Sequence, residues 1–233
     1  MANILMVVSA ADSLTMRDGS EHPTGFWAEE LVVSHHLLRE AGHTVQLATP
    51  GGAKPTVDEV SLAAESAGGP ERADGFRKYL AGLDAELSAP LALSDVDLSG
   101  YAAIVLPGGH GPMTDLYRDA DLGKLLVAAN TGSKIIAPFC HGPAGLLSAT
   151  DDAGAFAFAG RRLTVFTNEE ELNGGTGPNT PWFVEDELKA KGAIVENAAA
   201  WTSHVVRDAN LISGQNPQSS EDVAKEVVKA LAE

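Results

Sequence analysis

The chain holds one cysteine, Cys140, and His141 follows it directly in the stretch KIIAPFCHGPAGLL. An apolar run typical of a buried strand leads into the cysteine, and Gly142 and Pro143 then open a helix-like run. A side chain at such a strand–turn–helix junction is exposed and strained, which suits a nucleophile. The positive end of the following helix is expected to lower the pKa of the thiol and favour the thiolate. An ordinary core residue is the alternative, because free cysteine is among the most buried residue types.

A second strand end carries the glycine-rich stretch LPGGHGPMTDL, residues 106–116. Its two adjacent glycines allow backbone N–H groups to point into a cleft, where they could stabilise the oxyanion that forms when Cys140 attacks a carbonyl. A simple turn that requires glycine is the alternative. In open α/β sheets, sites form at the carboxyl ends of the strands. Both motifs are predicted to lie at such ends.

Carboxylates form two further groups. Glu29 and Glu30 fall in the first turns of a predicted helix over residues 26–42, and adjacent helical residues point in different directions, so at most one is expected to point inward. A buried glutamate needs a partner, and a protonated one could share a hydrogen bond with a thiolate. The other glutamate would complement the helix dipole. The second group is TNEEE, residues 167–171, for which a solvated helix start is the alternative.

The histidines show no spacing typical of a metal site. A zinc site needs three or four converging ligands, whereas His35 and His36 are adjacent and point about 100° apart on a helix. We therefore predict no metal. There is no Walker loop, and GxGxxG is absent after the first predicted strand, which disfavours nucleotide binding.

The elements that position these residues alternate along the chain. Helical patterns over residues 26–42 and 116–132 separate short apolar runs that are typical of buried parallel strands. The four runs are residues 2–9, 44–49, 102–109 and 134–139. This alternation predicts an α/β fold, a three-layer sandwich with a mostly parallel central sheet and helices on both faces.

The remaining segments complete a predicted single domain over residues 1–233. Residues 53–98 are polar and read as an insertion with one helix at 73–86. A long glycine-rich loop in a compact domain is more often functional than idle. The later predicted segments are a loop or hairpin at 151–160, a strand at 161–167, the glycine-rich loop at 173–180, a helix at 181–192, strands within 193–198 and 204–214, and a helix at 217–233 with Ser219 or Ser220 as N-cap.

Composition excludes several classes of function. The formal charge of −16 at pH 7 argues against binding nucleic acid or an anionic membrane surface. One cysteine cannot form an internal disulfide. The apolar start lacks a basic region and is too short for a signal peptide, and no run approaches the length of a membrane span. A cytoplasmic protein is the expectation.

Taken together, the motifs resemble those of the ThiJ/PfpI superfamily, whose flavodoxin-like core is similar to that of class I glutamine amidotransferases. The insertion and the GGHG turn resemble the branch that contains heat-shock chaperones and glutathione-independent glyoxalases of the glyoxalase III type. The stretches that carry the resemblance are TGFWAEEL (24–31), ATPGG (48–52), LPGGHGPMTDL (106–116), FCHGPAGLL (139–147), FTNEEE (166–171) and SGQNPQSS (213–220).

The resemblance implies roles for individual residues. Cys140 matches the nucleophile, His141 matches the histidine beside it, and Glu30, rather than Glu29, matches the glutamate that contacts the thiol. An acidic residue after FT would orient the histidine; Glu171 fits the spacing best, with Glu170 as the alternative. The backbone N–H groups of Gly109 and His141 would bind the oxyanion.

The resemblance also implies an activity. Methylglyoxal and related 2-oxoaldehydes would be converted to 2-hydroxy acids such as D-lactate through a cysteine hemithioacetal, without glutathione, metal or cofactor. The same chemistry could remove early glycation adducts from proteins. A stress chaperone with an exposed apolar surface and a redox sensor in which Cys140 is oxidised to a sulfinic acid are alternatives, and a peptidase or amidase is less favoured. A homodimer is expected.

Overall fold

The computed structural model describes residues 1–151 and 153–233, and a seven-stranded sheet lies at its centre. Six of these strands run parallel and the edge strand β10 runs antiparallel to β11. The spatial order is β10-β11-β7-β6-β1-β4-β5. The eleven strands of the described chain are β1 Asn3–Val7, β2 Ser13–Thr15, β3 Glu21–Pro23, β4 Thr44–Thr49, β5 Leu91–Ala92, β6 Ala103–Leu106, β7 Ile135–Pro138, β8 Arg162–Leu163, β9 Ile194–Val195, β10 Val205–Asp208 and β11 Leu211–Gly214.

Helices cover both faces of the sheet. Since successive strand residues point to opposite faces, alternate side chains of β1 enter two separate apolar clusters. Leu5 and Val7 pack with the helices at Ala120–Thr131 and Val184–Ala190, whereas Ile4 and Met6 pack with those at Ala28–Glu40 and Ser220–Ala230. The α-helices are α1 Ala28–Glu40, α2 Ala64–Ala67, α3 Pro70–Gly82, α4 Asp84–Ser88, α5 Ala120–Thr131, α6 Asn168–Gly174, α7 Val184–Ala190 and α8 Ser220–Ala230. The predicted α/β three-layer sandwich with a mostly parallel sheet is confirmed.

Several predicted elements are shorter or divided. The pattern over 116–132 becomes a 3-10 turn at Leu116–Arg118 followed by α5, because the Asp119 side chain caps α5 by accepting from the N–H groups of Asp121 and Leu122. The helix predicted at 73–86 is two helices, α3 and α4.

The carboxyl-terminal part differs more from its prediction. Only Arg162–Leu163 of the strand predicted at 161–167 is a strand, and it pairs with β9 outside the central sheet. Ser219 occupies the N-cap of α8 but makes no capping bond, because its hydroxyl donates to Asn216 and the His204 carbonyl. Within the predicted loop or hairpin at 151–160, Asp152 lies outside the described residues, and Thr150 forms an antiparallel bridge with Phe156.

Residues 53–98 pack against α1, the helix that carries Glu30. Ala28 and Val32 of α1 form an apolar cluster with Leu62, Ala73 and Phe76 of this segment. The segment then returns to the sheet through β5, which pairs with β4. Reading the segment as an insertion within one domain stays a prediction.

In the part of the chain that the structure describes, no helix has both the length and the apolar character required to span a bilayer.

Candidate active site

Cys140 lies two residues beyond the end of β7, in the left-handed backbone region with φ of 55°. A non-glycine residue in that conformation costs about 1–3 kcal/mol and persists only where its surroundings impose it. Two backbone bonds do so: Cys140 N–H donates to Gly214 at 3.0 Å, and its carbonyl accepts from Phe166 N–H at 3.0 Å. The chain continues into a 3-10 helix, Gly142–Ser148. A Cβ on Gly142 would overlap the Leu106 carbonyl, so this glycine permits the close approach of β6.

Glu30 points from α1 into the interior and is fully buried. Its Oε2 accepts from Gly108 N–H at 2.6 Å. Burial raises the pKa of Glu30 to about 8, although hydrogen bonds from Gly108 and the Cys140 thiol act in the opposite direction. The carboxyl group is therefore mostly protonated at neutral pH. Glu29 instead accepts from Arg72 of α3 at 2.6 Å, so the adjacent glutamates do point to different partners, as expected.

The thiol of Cys140 is only 3% exposed, and this burial raises its pKa well above the ordinary value. An ionised Glu30 raises it further, while the Gly109 N–H lowers it. The expectation of a lowered thiol pKa is wrong for this resting state, because removal from water outweighs the dipole of a short 3-10 helix. Cys140 is therefore held as a thiol, and it would need a base to take its proton before it could act as a nucleophile.

His141 connects that thiol to a buried carboxylate. Its Nδ1 lies 3.3 Å from Cys140 Sγ, and its Nε2 lies 2.6 Å from Glu171 Oε2. Burial and the neighbouring His110 lower the pKa of His141. Neutral His141 can therefore donate from Nε2 to Glu171 and keep Nδ1 as an acceptor beside the thiol.

Glu171 is the anionic end of this chain of groups. Burial acts to raise its pKa, but hydrogen bonds from His110 and His141 outweigh burial and hold the pKa well below its usual range. The Thr176 N–H and hydroxyl also donate to Oε1, at 2.6 and 2.8 Å. Four donor groups thus fix an ionised carboxylate.

Glu170 has different partners, although it is also buried. Its Oε2 accepts from Thr167 N–H, and the Thr167 hydroxyl accepts from Glu170 N–H, which forms a capping box at the start of α6. Between the two acids left open by the sequence, only Glu171 contacts His141 in the described chain. The solvated helix start is wrong for both residues and fits only Glu169, which is exposed.

His110 is a member of the site that sequence reasoning missed. Its Nε2 lies 3.0 Å from Glu171 Oε1, and its ring centroid lies 4.2 Å from that of His141. Its position directly after Gly109, at the end of a predicted strand, could have indicated that it belongs to the site. His110, His141 and Glu171 offer ligand atoms that all lie within 4.8 Å of one another, so by type they could hold a divalent metal. The sequence spacing of these three residues did not predict that they would lie close together. The hydrogen bonds from both histidines to Glu171 are enough to explain why they do.

The two residues whose amides are predicted to bind an oxyanion, Gly109 and His141, line the same cavity as Cys140. Neither Gly109 N–H nor His141 N–H donates to an oxygen acceptor within residues 1–151 and 153–233. A Cβ on Gly108 would lie 2.6 Å from the His141 nitrogen, so the two strand ends touch through glycine. The Gly109 N–H contacts the Cys140 sulfur in this state, and binding of a developing oxyanion by the two N–H groups stays a prediction.

A cavity of about 40 Å³ lies over these groups. Three aromatic side chains that sequence reasoning did not assign to the site form much of its wall: Trp27, Phe166 and Trp201. Gly174 and Gly175 of the glycine-rich loop complete part of it. A larger surface groove of about 620 Å³ lies elsewhere, and no cysteine or histidine lines it. The enclosed cavity is therefore the candidate active site.

Comparison with known proteins places this arrangement in a family. Protein/nucleic acid deglycase HchA of Pseudomonas aeruginosa is 29% identical over 246 residues, which cover 99% of this chain and 81% of that relative. The solved structure of Rapid Encystment Protein 24 kDa of Francisella tularensis has a TM-score of 0.87 at 29% identity and covers 99% of both chains. Glyoxalase III of Candida albicans has a TM-score of 0.82 at 24% identity, covering 98% of this chain and 97% of that one, and this likeness shows the fold.

The family model described as DJ-1/PfpI matches residues 23–230, a range that contains Glu30, Cys140 and Glu171. The resemblance predicted from the sequence motifs is thereby confirmed. The chain belongs to the DJ-1/PfpI family.

Proposed function

We propose that this protein is a glutathione-independent glyoxalase that converts methylglyoxal and related 2-oxoaldehydes to 2-hydroxy acids, with D-lactate as the product from methylglyoxal. The observation that carries the proposal is the continuous contact from Cys140 through His141 to Glu171, beside a protonated Glu30 at a small cavity. Similarity to the HchA deglycase over 99% of the chain supports an enzyme that acts on carbonyl compounds or their adducts.

The first step uses the stored thiol. His141 Nδ1 takes the proton of Cys140 as Sγ bonds to the aldehyde carbon, and the carbonyl π electrons move to its oxygen. The N–H groups of Gly109 and His141 bind that oxyanion, and a proton from Glu30 or from the His141 imidazolium then yields a hemithioacetal and leaves that group able to act as a base. Ionised Glu171 stabilises the imidazolium of His141 during this transfer.

The second step is an internal redox change that needs no external oxidant. A base, His141 or Glu30, removes the proton from the former aldehyde carbon to give an enediol, and the neighbouring carbon is then protonated. The first carbon is oxidised to a thioester as the second is reduced to an alcohol. Water cleaves the C–S bond, which releases the 2-hydroxy acid and restores the thiol. Glu30 suits this work because its pKa of about 8 lies near the operating pH.

A deglycase activity is the second candidate, and the name of the HchA relative is the observation that favours it. Hydrolysis at the same thiol would release an early adduct from an amine or thiol. The narrow cavity disfavours the peptidase alternative, since a polypeptide cannot enter about 40 Å³. The homodimer and the cytoplasmic location stay predictions from the resemblance and the sequence.

The test is loss of methylglyoxal and formation of D-lactate by purified protein, with and without a metal chelator. We expect turnover by the wild type in both conditions and loss of turnover in Cys140→Ser. Turnover by Cys140→Ser equal to that of the wild type would refute the proposal. Loss of activity with chelator would refute its metal independence and direct attention to His110, His141 and Glu171.

A further inference from the structure

Trp201 combines two properties that rarely occur together. Its side chain is 41% exposed, yet it lines the same cavity as Cys140. Its backbone is in the left-handed region, with φ of 61°. A bulky residue there costs about 1–3 kcal/mol, which the surrounding contacts must offset. The ring is therefore held in a defined place by its environment.

Three contacts hold it. The backbone N–H of Trp201 donates to Glu170 Oε1 at 2.8 Å. Glu170 is fully buried, and the Asn216 side chain also donates to it. The indole lies against Gly174, where an added Cβ would be 2.6 Å from Trp201 Cζ2. The ring also meets Phe166 edge-on, with centroids 5.6 Å apart, and Phe166 packs on His141 at 4.5 Å. The indole is thus fixed relative to the catalytic groups while its outer face meets solvent.

We propose that Trp201 is the size gate of the Cys140 cavity: its ring restricts the site to short, free 2-oxoaldehydes and excludes carbonyl groups that carry a large substituent. The choice of substrate rests on the proposed function, whereas the gate itself is a property of access to the thiol. A volume of about 40 Å³ holds roughly three water-sized groups. A three-carbon dicarbonyl is near this limit, but the aromatic ring of phenylglyoxal must displace the indole. Size discrimination in such pockets is typically about 10- to 200-fold.

Because Cys140 is the chain's only cysteine, alkylation reports on the gate without reference to catalysis. Rates with iodoacetamide and with the bulky N-(1-pyrenyl)maleimide are measured for the wild type, Trp201→Ala and Gly174→Ala. A Cβ at Gly174 would lie 2.6 Å from Trp201 Cζ2, so Gly174→Ala must displace the indole and tests the gate without removing the ring. We expect both variants to raise the pyrenylmaleimide-to-iodoacetamide rate ratio by about tenfold or more. The ratio of kcat/KM for phenylglyoxal to that for methylglyoxal should rise in the same variants.

Trp182→Ala is the matched control, because Trp182 packs against Tyr117 and does not line the cavity. It should leave both ratios unchanged. An unchanged alkylation ratio in folded Trp201→Ala and Gly174→Ala would overturn the gate, as would an equal rise in Trp182→Ala. If the wild type turned over no 2-oxoaldehyde while the alkylation ratios changed as expected, the proposed function would fail and the gate would stand.

Discussion

Replacing Glu30 by glutamine keeps the shape of the protonated side chain but removes its ability to ionise. The amide oxygen can still accept from Gly108 N–H, the bond that Glu30 makes at 2.6 Å. The amide N–H₂ group can take the place of the carboxyl proton beside Cys140. Any difference between Glu30→Gln and the wild type that changes with pH therefore reports on the buried proton of Glu30.

The size of that difference follows from the raised pKa. Folding shifts the pKa of Glu30 from an ordinary 4.5 to about 8, a difference of roughly 3.5 units, or about 5 kcal/mol at 1.36 kcal/mol per unit. Below pH 4.5 both the folded and the unfolded states hold the proton, so ionisation costs nothing. As pH rises toward 8, only the unfolded state releases it, and the folded state loses stability progressively. The variant lacks this loss.

Urea denaturation at pH 5, 6.5 and 8 measures this pH-dependent loss of stability. We expect the free energy of unfolding of the wild type, minus that of Glu30→Gln, to fall by several kcal/mol between pH 5 and 8, because the other titrating groups cancel in the difference. The Glu169→Gln variant, which changes an exposed carboxyl group of α6, is the control. A difference that stays constant across this range would show that Glu30 ionises normally and would refute the assigned protonation.

Three further predictions concern the surrounding groups. Glu171→Gln should lower kcat/KM for methylglyoxal by about 10² or more by removing the anion that supports His141. Glu170→Gln keeps the α6 capping bond but places an amide N–H₂ where Oε1 accepts from Trp201 N–H and Asn216, so it should mainly lower Tm; equal activity losses would contradict the distinction. His110→Gln should reduce kcat more than KM and move the acid limb of the pH–rate profile, since one donor to Glu171 changes; an unchanged profile would assign His110 a packing role alone. Gly142→Ala should destabilise the fold by about 3 kcal/mol or more in urea denaturation, whereas Gly75→Ala, an α3 site with nothing within 4 Å, should stabilise it by up to about 1 kcal/mol; similar effects at both sites would refute the steric argument.

Two adjacent glutamates show why the acidic partner of His141 could not be assigned from the sequence. Glu170 and Glu171 differ by one position, yet one caps α6 and the other contacts His141. Their spacing from Cys140 differs too little to decide between them. The choice depends on where α6 begins and how it docks, and Thr167 decides the first of these through its capping bond.

The pKa of Cys140 shows the same limit for electrostatics. A cysteine before a glycine-rich turn suggests a lowered pKa, but the described chain surrounds the thiol and places Glu30 beside it. Burial is set by residues distant in sequence, so it cannot be read from the local motif. His110, Phe166 and Trp201 were missed for the same reason, since they meet only after β6, α6 and the 199–202 turn are assembled.

The amino-acid sequence was enough to predict the alternation of strands and helices, the two strand ends with cysteine and glycine, and the family motifs. These depend on short-range rules of backbone conformation and apolar periodicity. Three features emerge only when the chain is folded: Glu30 is a protonated neighbour of the thiol, Glu171 rather than Glu170 contacts His141, and Trp201 lines the cavity. Desolvation and side-chain contact arise from segments that are distant in the sequence, as Glu30 is from Cys140 and His141 is from Glu171, and packing them together creates an environment that no single segment contains.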